Sequence, residues 1–81
     1  MPIRRAKEIR FDTHALRRMQ QRAVSRDQIE ACVTKPDLMR PARSVGARRF
    51  EKQLSRKKRL AVVIEEHDAY IRVITAWWIS R

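Results

Sequence analysis

From Arg48 onward the chain changes period. Three runs, RRFEKQL, RLAVVIEE and AYIRVITAWWIS, are rich in β-branched and aromatic residues and are separated only by the polar breaks SRKK and HDA. Such side chains pack well on a pleated surface, so the runs read as strands and the short breaks as hairpin turns. Three antiparallel strands therefore end the chain. Before them, PDLMRPARSVG holds two prolines and the chain's single glycine. It reads as a connecting loop with room for a short edge strand.

The first half follows a helical period instead. Asp12 or Thr13 can cap a helix by accepting from the free N–H groups of its first turn. The helix then runs to about Arg22, with Ala15, Leu16, Met19 and Ala23 on one apolar arc and Arg17 and Gln21 pointing away. Ser25 followed by Gln28 is a capping box, and Val24 with Ile29 has the spacing of a hydrophobic staple. A second helix begins there, turns Ile29, Cys32 and Val33 to one side, and stops near Lys35 because Pro36 disfavours helical geometry before it. MPIRRAKEIR reads as a basic arm running into a short strand at about Glu8 to Phe11. With no repeat, low-complexity segment or long linker, residues 1–81 are expected to form one α+β unit, two N-terminal helices packed on a three- to four-stranded antiparallel sheet.

Twenty Lys and Arg against nine Asp and Glu give a formal charge of +11, so a polyanionic partner is expected, with nucleic acid ahead of anionic lipid or an acidic protein. The lone Cys32 excludes an intramolecular disulfide and argues against a cysteine-based zinc site, and its plain reading is a half-buried helix residue. No apolar run approaches the ~20 residues that span a bilayer, and the N-terminus lacks the apolar region of a secretory signal. A soluble chain in a reducing cytoplasm fits these features. There is no P-loop, dinucleotide-binding glycine motif, nucleophile elbow or Cys–His signature.

Chemistry concentrates on helix one, where His14, Arg18 and Arg22 follow one another at i, i+4 spacing along the border of the apolar arc. A side chain there can lean over a sheet edge while its tip stays in solvent. A histidine can also give or take a proton at neutral pH. The plain alternative is a solvated face, because arginine is abundant in this chain. His67 sits in the HDA turn, and no acidic residue lies at metal-ligand spacing from His14, so no metal is expected. Glu51, Glu65 and Glu66 could supply a carboxylate base, with charge balance as their default role. In the last strand, strict alternation puts Arg72 and Thr75 on opposite faces unless a bulge intervenes. Trp77 and Trp78 can stack on bases, but core is the commoner place for such residues. Arg48, Arg49, Lys52, Lys57 and Lys58, with Arg56 and Arg59, form a candidate phosphate-binding rim.

The strings HALRRM, QQR and VSRDQIE, then Pro36, fit the pattern H-A-x-x-R-M-x-x-R-x-[IV]-S. With Val62–Ile64 as VVI and Val73–Thr75 as VIT, they resemble a family of small bacterial domains of unknown function over about Ile9 to Trp77. That family is grouped with the RelE-like and colicin-like ribonuclease fold, and IRVITAWW is also similar to the RIISAR ending of BrnT-like toxins. The resemblance implies the toxin component of a toxin–antitoxin pair, a metal-independent endoribonuclease without cofactors. Its partners would be RNA, free or ribosome-bound, and an acidic antitoxin that covers the sheet. His14 would be general base or acid as a ribose 2′-hydroxyl attacks the adjacent phosphate, Arg18 and Arg22 would stabilise the phosphorane, and Thr75 would position a phosphate oxygen. Arg72 joins as an RNA contact from the BrnT-like ending. Ala23 stands where the family often has glycine, and AWW lacks the arginine of the BrnT-like ending. Two other readings remain open: a non-catalytic nucleic-acid- or ribosome-binding module, and a unit that pairs with an acidic protein through the sheet edge.

Overall fold

Both helices begin as their caps dictate. Asp12 accepts from the Ala15 N–H at 2.8 Å and starts α1 (Thr13–Gln21), and Ser25 and Gln28 exchange side-chain and backbone bonds at the start of α2 (Arg26–Thr34). The computed structural model describes residues 7–43 and 45–79, and the first six residues of the expected basic arm lie outside that range. Between the helices the chain turns through a Schellman motif, in which Val24 N–H donates to Met19 O at 2.9 Å and Ala23 N–H to Gln20 O at 3.3 Å. The motif needs a left-handed residue, and Ala23 supplies it at φ 54. An L residue with a Cβ is strained there where glycine is not. Ala23→Gly should therefore raise stability by about 1 kcal/mol, read as a higher urea midpoint with an unchanged slope.

The strands are β1 (Glu8–Phe11), β2 (Leu38–Pro41), β3 (Ala47–Ser55), β4 (Lys58–Glu66) and β5 (Tyr70–Ile79), in the order β1-β5-β4-β3-β2. This corrects the expected three- to four-stranded antiparallel, RelE-like/colicin-like arrangement: the sheet has five strands and is mixed. β1 runs parallel to β5, pairing Glu8 with Tyr70 through Phe11 with Val73. The three C-terminal strands and the β2 edge strand, which ends at Pro41, are antiparallel neighbours. Hairpin turns announce antiparallel neighbours locally. A parallel pair joins segments far apart in sequence and leaves no such mark.

Both helices cover one face of the sheet, α1 over β5 and α2 over β4 and β3. Ala15, Met19, Ile29, Cys32 and Val33 meet Phe50, Leu60, Val62, Ile64, Ile71, Val73 and Ala76 in a single core. Cys32 is fully buried, deeper than expected, and burial pushes its thiol up to about 12. It is packing, not a nucleophile. Among the described residues no helix covers the opposite face, and no helix is long and apolar enough to cross a membrane.

Candidate functional site

A bulge in β5 decides which side chains can share a site. Glu65 pairs with Arg72 and Ile64 with Val73, but the next β4 residue, Val63, pairs with Thr75. Ile74 is the extra residue, and alternation reverses beyond it. Ile71, Val73, Ala76 and Trp78 therefore face the helices, while Arg72, Thr75 and Trp77 share the open face. The alternation read from the sequence put Arg72 and Thr75 apart unless a bulge intervened, and Ile74 is that bulge.

The two ends of α1 meet that strand, the first through its cap Asp12 and the second through Arg22. At the start of α1, the second oxygen of Asp12 accepts from Arg72 Nη2 at 2.8 Å, and Arg72 Nη1 donates to Glu65 at 3.1 Å. The Ala15 N–H, then Arg72 and the nearby His14, hold the Asp12 carboxyl below its ordinary range. Glu65 is likewise held low by Arg72 and by His67, whose ring stacks on Tyr70. At the end of α1, Arg22 Nη1 donates to Thr75 Oγ1 at 3.3 Å and to Ala76 O at 2.9 Å. The Arg22 carbonyl, one of those the helix end leaves free, accepts from Trp78 Nε1 at 2.7 Å.

Between these fixed ends, His14 is exposed and Arg18 half-buried, whereas Arg17 is exposed on the far side of the apolar arc. The structure brings Arg22 and Thr75 into contact and ties Arg72 to Asp12, the N-cap of α1, two residues before His14. A guanidinium carries five N–H donors, so Arg22 keeps donors for an anion after its Nη1 is engaged. Arg22 thus offers a cation beside the Thr75 hydroxyl, while Arg18 and His14 stand four and eight residues back, ~6 and ~12 Å along the axis of α1. Among the described residues, no three His, Cys, Asp or Glu side chains group closely enough to hold a metal ion.

The candidate basic rim is not gathered in one place. Pairing with Ile64 and Leu60 puts Arg48 and Lys52 on the helix side, where Lys52 Nζ donates to Lys35 O at 2.7 Å. Lys58 lies 5.3 Å over the Trp78 ring, and Lys57 is exposed in the hairpin turn with Arg56. Arg49 pairs with Val63 and so stands on the open face, 4.9 Å over the Trp77 ring. Of the candidate carboxylates, Glu66 pairs with Lys7, Glu65 with Arg72, and Glu51 is buried among arginines. Sequence reasoning missed Asp12 as more than a cap, and Glu51 with Arg40 and Arg59 as a cluster. The hairpin register carried that second signal, since Ala61 opposite Glu51 leaves Arg59 two residues away on the same face.

A groove of about 910 Å³ lies elsewhere, on the helix side between β1 and α2, and shares no lining residue with the ladder. No curated protein and no solved structure matches the chain significantly. One family does match, over residues 11–78, a span that takes in the whole ladder and the β5 bulge but only the last residue of β1. The chain belongs to that family, the domain of unknown function DUF4258.

Proposed function

We propose that the protein is a metal-independent endoribonuclease and the toxin of a toxin–antitoxin pair, acting in the cytoplasm on RNA that is free or ribosome-bound. The observation that carries the reading is the contact of Arg22 with Thr75 beside a bulge that turns Arg72 to the same face. In this reading His14 takes the proton of the 2′-hydroxyl as its oxygen bonds to the adjacent phosphorus, the bond from phosphorus to the 5′-oxygen breaks, and the 5′-oxygen takes a proton from solvent. Arg18, the free donors of Arg22 and the Thr75 hydroxyl meet the charge that builds on the phosphorane oxygens. Asp12 and Glu65 balance Arg72, which makes it a positioning group between α1 and β5. The nucleophile belongs to the substrate, so no cofactor or metal enters. An acidic antitoxin would answer the +11 charge.

RNA incubated with the purified protein in excess chelator should yield 2′,3′-cyclic phosphate and 5′-hydroxyl ends. RNA methylated at the 2′-oxygen should survive. A requirement for magnesium, or products ending in a 3′-hydroxyl, contradicts the reading.

A second reading, a non-catalytic basic module that holds nucleic acid or a ribosome, is favoured by one observation. Among the described residues no hydrogen bond orients the His14 ring, whereas a catalytic histidine is commonly fixed by a partner. It predicts salt-sensitive binding with the RNA left intact.

A further inference from the structure

The open face of the sheet holds a charged side chain where solvent would be expected. Glu51 is only 5% exposed although no helix covers that face among the described residues. Its cover is arginine. Glu51 lies 2.8 Å from Arg49 Nε, 3.1 Å from Arg59 Nε and 3.7 Å from Arg40 Nη2. One carboxylate among three guanidiniums leaves two positive charges in excess. The carboxylate also fixes side chains that would otherwise be free to rotate, so the cost of ordering them on an anion falls. Arg49 Nε, though close to Glu51, is buried and makes no hydrogen bond, so their attraction is ionic and poorly aligned. The same guanidinium lies 4.9 Å over the Trp77 ring, and Trp77 stands two residues, ~7 Å along the strand, from Thr75.

We propose that this face is a subsite for single-stranded RNA. Backbone phosphates sit on Arg40, Arg49 and Arg59, an unpaired base stacks against the Arg49–Trp77 pair, and Glu51 is the post that holds the guanidiniums in place. Arginine forks suit phosphate oxygens, and a ring with a guanidinium on it suits a base of any sequence. A duplex offers no free base face and is excluded from the stack. An acidic protein would use the charge but gain nothing base-specific from Trp77. The inference deepens the RNA-binding half of the proposed function and does not depend on cleavage.

The test uses a 2′-O-methyl strand, its duplex and an abasic strand of equal phosphate number, with affinity read by anisotropy. Wild type should bind the base-bearing strand about 10-fold more tightly than the abasic one. Trp77→Leu should abolish that difference while leaving the abasic affinity in place. In a Trp78→Phe background, Trp77 emission should be quenched by the base-bearing strand and not by the abasic one, a readout independent of how well Trp77→Leu folds. Equal affinity of wild type for the two strands, or no quenching at saturation, overturns the subsite and leaves a surface that reads only negative charge, as an acidic protein would present it. Base-dependent binding of the 2′-O-methyl strand, with unmodified RNA left intact by the same protein, keeps the subsite and removes the enzyme reading. Cleavage of unmodified RNA with base-independent binding of the 2′-O-methyl strands does the reverse.

Discussion

His14→Ala should lower RNA cleavage by about 100-fold or more, the usual loss when a positioned acid–base group is removed. Arg17→Ala should leave the rate close to that of wild type. The two residues share a helix and differ in what they face. His14 stands two residues after Asp12 of the Asp12–Arg72 clasp, on the border that leads to Arg22 and Thr75, while Arg17 points away from the sheet. Alanine is the better helix former at either position, and both side chains are exposed, so neither change should disturb folding. Initial rates, with a thermal melt of each variant beside them, separate the chemical effect from a structural one. Equal loss in both variants would mean that α1 contributes only diffuse charge.

Phe50→Ala should remove most of the stability of the domain. Phe50 is 1% exposed, and it stands in the core shared by β3, β4 and the helices. Truncating a buried phenylalanine costs about 3–5 kcal/mol, because the lost transfer energy is joined by a cavity that the surroundings only partly fill. A chain of 81 residues has a total of roughly 4–12 kcal/mol to lose. Urea unfolding should show the midpoint falling steeply, with a substantial unfolded fraction in buffer. Leu16→Ala, at a position 39% exposed, should shift the midpoint only slightly.

These contrasts also show what could be read before the fold was known. Asp12, the Ser25–Gln28 box and Pro36 act on backbone groups within a few residues, so the limits of both helices were legible from local chemistry. The β5 bulge was not, because Ile74 is chosen as the extra residue by the match between β4 and β5 and by the core beneath them. With it went the side of the sheet on which Thr75, Trp77 and Trp78 belong. The short strand at Glu8–Phe11 was visible, but its parallel place beside β5 depends on a pairing across most of the chain. Glu51 looked like surface charge because burial of a carboxylate depends on partners, and Arg59 reaches it only after the hairpin closes. The ladder itself was legible as spacing, while its contact with Thr75 was a consequence of the fold.

The most direct measurement is induced expression in a bacterial host of wild type beside His14→Ala and Arg18→Ala, followed by mapping of RNA ends. Growth arrest with new RNA ends in the wild type alone is the predicted result. New ends at equal frequency with His14→Ala, or arrest without any new ends, would contradict an active site built on this ladder.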